Sequence, residues 1–457
     1  MKQLAILLSA LSLTAPFNTN AQEYNQKKLA VTVYNNNLGV VKDVREINLN
    51  SGLTNIAITD VAKLIDPTSV HIKLNGEVIE QNYQYDLVNL QKILQKYVDK
   101  QIQLVNEKND FVEGKLLSAS GNQIVLQKKD GGLLMIPNLD KYRLSVGNLP
   151  EGLITKPTLV WTVKSKKSGQ QDVEISYQTR GMNWHAEYVA VLNKDDTRLD
   201  LNAWVSVENN SGTTYKNAKL KLVAGDVNRV QENKRLYKGR MQLEAVADYA
   251  PTPQFKEQSF FEYHIYNLQR PTTLAQNETK QISLFQAQYV AAKKKYFYAS
   301  GGYYGYNRGN GKVNVIVEFD NKENQKLGIP MPKGKVRMYK SDGESIEFVG
   351  EDLIDHTPRN ETIKLKIGDA FDILAEEKQV EHKKITDRVH ENVYEIKIKN
   401  RKKEDIVVEV ERHLGINWEI LNSSLSYKKK NVSTIVFQVP VKENDKTVLR
   451  FKVRYVN

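Results

Sequence analysis

The feature that most limits what this chain can fold into is a period-two alternation of apolar and polar residues that returns along most of its length. Leu199, Leu201, Ala203, Val205 and Val207 form one such run, and Val173, Ile175 and Tyr177 another. Val313, Val315, Val317 and Phe319 repeat the pattern, as do Leu449, Phe451, Val453 and Tyr455. Neighbouring side chains on a strand point to opposite faces, so this spacing builds sheets that bury one face. Only Leu87, Leu90, Leu94, Tyr97 and Val98 recur at helical spacing, with Asp86 placed to cap the start. The fold expected is mainly β: tandem antiparallel β-sandwich modules of immunoglobulin-like type, a small SH3-like barrel and one short connecting helix.

Turn residues divide the 457 residues into units. Residues 22–84 read as an N-terminal β domain, with Asn75-Gly76 as a hairpin turn because both residues tolerate positive φ. Residues 85–99 form the helix, too short for a coiled-coil seam. Residues 100–150 carry short strands separated by Ser120-Gly121-Asn122 and Asp130-Gly131-Gly132, the basis for the small barrel. A central sandwich spans 157–350, with flexible insertions at 231–258 and 296–311 where periodicity fades. Residues 351–457 form the last sandwich.

The first 21 residues read as a signal peptide. Lys2 provides the positive start, Leu4 to Leu13 a short apolar run, and Thr19-Asn20-Ala21 a small-residue cleavage site. The apolar run falls short of the ~20 helical residues that cross a bilayer, and no later stretch reaches that length without charges. Cysteine is absent, which removes disulfides, thiolate metal sites and the acceptor for a lipid anchor. The expected location is the periplasm, in preference to release from the cell. The formal net charge is +12, but its lysines lie in scattered short runs such as Lys293–Lys295 and Lys428–Lys430. Scattered charge reads as a solvated surface rather than a binding stripe, and export argues against nucleic acid as a partner.

Few residues announce chemistry. The seven histidines show no metal-ligand spacing, so no metal and no cofactor are expected, and no catalytic residue is assigned. Candidate binding residues begin with Arg180-Gly181-Met182-Asn183-Trp184-His185. There Trp184 could stack on a ligand while Arg180 and His185 hydrogen-bond to it, or the indole could sit in the core, the commoner place for a large aromatic. Asp226, on the turn Ala224-Gly225-Asp226, and Gly368-Asp369-Ala370-Phe371-Asp372 offer carboxylates for acid–base work or for turn capping. Tyr303 and Tyr304, among glycines, could stack on sugars or form a loose hairpin tip.

Taken in order, several motifs resemble one family. They are Tyr177; Arg180-Gly181-Met182-x-Trp184-x-x-x-Tyr188; Trp204-x-x-Val207-x-Asn209-x-Ser211-Gly212-x-x-Tyr215; and Leu222-Val223-Ala224-Gly225-Asp226. Gly328-x-Pro330-x-Pro332-x-Gly334-x-Val336-x-x-Tyr339 and Gly368-x-Ala370-Phe371-Asp372 follow. From about Thr158 to Asn457 the chain resembles the domain of unknown function 4139 family of exported bacterial proteins, related to the C-terminal part of mucoidy-inhibitor-A-like proteins. The resemblance implies an envelope location and no particular activity. Many members place a long coiled coil after their N-terminal β domain, where this chain has a short helix and a small β unit.

The reading that follows is a non-enzymatic periplasmic β-module protein that binds or scaffolds a cell-envelope partner, protein or polysaccharide. A hydrolase of envelope glycan or peptide working near Trp184 and Asp226 is the rival, and a purely structural envelope protein the third. Neither the ligand nor the oligomeric state is legible.

Overall fold

The computed structural model describes residues 24–225, 254–260, 263–300 and 311–456. Strands dominate, and the α-helix among the described residues is Leu90–Lys96. That helix is capped by Asn89, whose side chain accepts from the Lys92 N–H, rather than by Asp86, which pairs with the Lys92 ammonium at 2.5 Å. No described helix is long and apolar enough to cross a membrane.

The described strands form four sheets. An eight-stranded sheet joins Asn25–Tyr34, Leu38–Leu49 and His71–Lys73 from the first part of the chain to Gly169–Thr179, Tyr215–Ala224 and strands between 255 and 274. A three-stranded sheet sets Thr158–Ser165 between Gly52–Ile58 and Glu77–Gln84. The strands of the expected N-terminal β domain at 22–84 are therefore joined to sheets completed by later strands. Asn25–Tyr34 pairs with Leu38–Leu49, yet each of these five strands also has a partner beyond residue 157, because they cannot pair all their backbone groups among themselves. The expected hairpin at Asn75-Gly76 is absent for the same reason. His71–Lys73 pairs with Gly169–Thr179, whereas Glu77–Gln84 pairs with Thr158–Ser165, so the dipeptide carries the chain from one sheet to the other.

Residues 101–145 form a five-stranded sheet in which the last strand, Tyr142–Ser145, pairs with the first, Gln101–Asn106. The path stays open, since Leu133–Ile136 pairs only with Gln123–Gln127. The unit is thus an open sheet, not a closed barrel. Leu94 and Tyr97 of the helix plug its small core against Ile102, Leu104, Leu116 and Leu126.

The largest sheet has thirteen strands and serves two cores. Its first half, with Met182–Leu192 and Arg198–Asn209 at the centre, closes a core that also contains Trp161, Val31 and Ile175 from the other two sheets. Its second half folds over on itself, so that Phe437 of Thr434–Val441 meets Phe451 of Lys446–Val456 with ring centroids 5.2 Å apart. Two strands of 23 residues, Glu278–Ser300 and Thr362–Lys384, run from one core into the other. Val290 and Ile363 lie in the first core, Tyr298 and Ile373 in the second. Residues from both sides of the boundary expected near 350 therefore contribute to both cores. Tyr296–Ser300, expected within a flexible insertion, is the end of such a strand, with Tyr296 and Tyr298 buried. Likewise a strand begins at Phe255, inside the expected 231–258 insertion. The remainder of both expected insertions, residues 231–253 and 301–310, and the expected signal peptide, residues 1–21, lie outside the described residues.

Candidate functional site

The string Arg180–His185 is where the chain leaves the eight-stranded sheet and enters the largest one. Gly181 makes the turn with φ +81°; a Cβ there would stand 2.5 Å from the Asn210 carbonyl oxygen, so only glycine fits. Regular alternation begins at once. Met182, Trp184, Ala186 and Tyr188 face the core, and Asn183, His185 and Glu187 face the other side. Trp184 is 1% exposed, its indole N–H donates to the Val223 carbonyl at 3.1 Å, and its ring meets Tyr266 edge-on. It cannot serve as a stacking platform; a ring of that size gains more from burial than a surface strand offers. Arg180 is exposed on the turn. Arg180, Trp184 and His185 thus occupy a turn, a core and an outer face, and form no common site. Asp226, Tyr303 and Tyr304 lie outside the described residues. Asp369 is engaged by Lys312 at 3.1 Å and by the Asn314 amide at 2.7 Å, an ion-paired surface carboxylate rather than half of an acid–base pair.

His185 lines a groove. Met182–Leu192 lies parallel to Gly334–Ser341, which pairs in turn with Ile346–Ile354 at the sheet edge. Gly334 pairs with Ala186, and both line this groove of about 620 Å³. Glu187 is its electrostatic centre. His185 Nε2 stands 3.5 Å from its carboxylate and Arg337 3.8 Å, while Gln281 donates to it at 3.0 Å. The hydrogen bond from His185, with Arg337 assisting against partial burial, holds the Glu187 carboxyl below the usual carboxylate range, so it is ionised at neutral pH. Arg337 and Lys335 also reach Glu351, at 3.8 and 3.0 Å. Leu353, 72% exposed, presents an aliphatic side chain within this charged frame.

A second recess lies between the first strands of the chain and the Tyr177 and Tyr215 rings, with a volume of about 410 Å³. At its base are Asp43 and Arg45, which occupy core-facing positions of Leu38–Leu49 between Val41 and Ile47. Sequence reasoning passed over them, yet the signal was present: two charges at the inward phase of an alternating strand. Burial at such positions requires partners, and the structure supplies them. Among the described residues no three His, Asp or Glu side chains converge as a metal-ligand set.

Comparison with known proteins bears on the larger part of this architecture. The family model described as Domain of unknown function (DUF4139) matches residues 173–455, from the strand carrying Tyr177 to the end of the second core. A search of curated proteins returns no match.

Proposed function

The chain belongs to the DUF4139 family, and on that premise we propose that it is a non-catalytic β-module protein, exported to the periplasm, that binds or scaffolds a cell-envelope partner. The observation that supports this reading is the groove beside His185. An exposed aliphatic anchor, Leu353, is framed by Lys335, Arg337 and Glu187 on a rigid sheet rather than on a loop. An apolar anchor ringed by charges of both signs suits a segment of a partner protein: burial of the anchor supplies affinity and the charges supply register. A polysaccharide is the other occupant such a surface could take. The hydrolase alternative drew on Trp184 and Asp226; the first is inside the core and the second is outside the described residues.

Export is tested by the mass of the protein recovered from the periplasm, which should begin near Gln22; retention of Met1 refutes it. The groove is tested by placing a photoreactive amino acid at Leu353 in cells, with the exposed Leu53 of another sheet as control. A discrete cross-linked product from position 353, lost with Arg337→Glu and absent from position 53, supports the reading. Identical products from both positions refute it.

A further inference from the structure

The second recess is built differently from the groove, and its chemistry points to a different ligand. Arg45 Nε donates to Asp43 at 2.8 Å, and its two terminal nitrogens reach the Asp60 carboxylate at 3.2 and 3.3 Å. Gln26 donates to the other Asp43 oxygen at 2.9 Å. One guanidinium is thus shared by two carboxylates. The Tyr215 hydroxyl stands 3.2 Å from Ser211 Oγ on one side and hydrogen-bonds with Tyr177 on the other. Burial pushes the Tyr215 hydroxyl up to about 12 and the Tyr177 hydroxyl well above its ordinary value, so both keep their protons at neutral pH. Thr213 donates to the Asp60 carbonyl at 2.9 Å. Lys156 and Lys216 stand exposed in the lining, and Leu29 is its one aliphatic side chain.

A mere staple between Leu38–Leu49 and the Asp60 turn would need no open volume beside it. Here a volume within the roughly 300–1,000 Å³ range of small-ligand sites lies against the network. Its lining is unlike the mainly apolar lining of most such sites. Carboxylates that accept, a guanidinium and ammonium groups that donate, and hydroxyls that do both alternate around it. Arg45 offsets one of the two carboxylates and the exposed Lys156 and Lys216 offset the other, so the lining has no strong excess of either sign and a ligand gains little there by carrying net charge. It gains by offering several hydroxyls at fixed spacing, with a compact C–H surface for Leu29 and Tyr24.

We propose that this recess binds a neutral saccharide unit, with Asp60 accepting from its hydroxyls and Tyr215 donating or accepting at its floor. Asp43 and Arg45 are positioning residues that hold Asp60. The site draws on both segments of the chain: Asp43, Arg45 and Asp60 precede the family match and Tyr177 and Tyr215 lie within it. The proposal stands apart from the groove reading.

The test is saturation-transfer NMR on the mature full-length protein with glucose, galactose, mannose and N-acetylglucosamine, and with acetate as a charged probe. At least one sugar should receive transfer. Asp60→Asn, a half-exposed position, and Tyr215→Phe should each weaken its binding roughly three- to tenfold, the loss of one hydrogen bond. Folding of both variants is checked by circular dichroism. The inference is overturned if no sugar of the panel receives transfer, or if both folded variants bind as wild type does. It is equally overturned if acetate alone binds and Lys216→Ala abolishes it, since the recess would then be an anion site. Cross-linking through Leu353 that persists when no sugar binds overturns this inference and leaves the groove reading intact. Loss of both overturns both.

Discussion

Trp184 carries the sharpest consequence at the scale of single residues. Its ring fills core space between Val223 and Tyr266, so Trp184→Ala should cost about 3–5 kcal/mol, the usual cost of deleting a large buried aromatic. Urea denaturation checks this, and a variant with an unchanged midpoint would return Trp184 to the surface. Asp196 makes a prediction in pH. Burial acts against its ionised form, but ion pairs with Lys294 and Lys340 outweigh burial and hold its carboxyl below the ordinary value. A depressed folded pKa stabilises above the unfolded value, about 3.9, and the benefit is lost as pH falls through the folded pKa. Asp196→Asn should therefore melt lower than wild type at pH 7, and the two should converge as the pH drops below about 4. A constant gap in melting temperature from pH 7 to pH 3 would contradict this. Within the run Lys293–Lys295, Lys294 pairs with Asp196 and Lys295 with Glu318.

At the scale of elements, close backbone approach decides where strands can lie. Gly334 starts the strand that lies parallel to Met182–Leu192, and a Cβ there would stand 2.1 Å from the Ala186 carbonyl oxygen. Gly334→Ala should force the two strands apart at the end that shapes the groove, costing about 1–3 kcal/mol, as overpacking does. Chemical denaturation measures it; stability equal to wild type would mean that the contact relaxes freely. The strand Glu278–Ser300 reaches 23 residues by bending. Tyr289 takes φ +59°, the register slips opposite Leu199 and Leu201, and the Asp200 side chain accepts the freed Tyr289 N–H at 2.8 Å. A bulge of this kind re-aims a strand without ending it, which lets one strand serve two cores.

For the whole molecule, shared strands make the two cores one mechanical unit. Trp161 and Trp184 report on the first core, Trp418 on the second. We expect urea unfolding followed by tryptophan fluorescence and by circular dichroism to coincide. Phe437→Ala in the second core should shift both curves together, because Glu278–Ser300 and Thr362–Lys384 cannot unfold in one core and remain paired in the other. Two separated transitions, with the first untouched by Phe437→Ala, would show that the cores are independent.

Alternation alone was enough to establish the strands, because side-chain direction on a strand follows from local backbone geometry. Val173, Ile175 and Tyr177 face the core as their spacing demands, and so do Leu199, Leu201, Ala203, Val205 and Val207. The mainly-β class and the helix among the described residues were legible on the same local grounds, and the ordered motifs from Tyr177 onward carried the resemblance to the matched family. Partnership was not. Alternation says which face of a strand is buried but not which strand lies beside it, so Asn75-Gly76 read as a hairpin and proved a crossing between sheets. The same limit hid the parallel pairing of Asn25–Tyr34 with Tyr215–Ala224, and with it the recess those strands enclose. His185, expected as a candidate binding residue, stands on the outer face beside its buried neighbour Trp184. That Lys335, Arg337 and Leu353 would meet it was decided by hydrogen bonds formed across some 150 residues of chain. Asp43 and Arg45 mark the boundary between the two kinds of knowledge. Their inward phase is written in Leu38–Leu49, but the carboxylate of Asp60 that shares the Arg45 charge, and the tyrosine hydroxyls beside it, were brought there by the tertiary fold, since desolvated charges are tolerable only where folding supplies their partners.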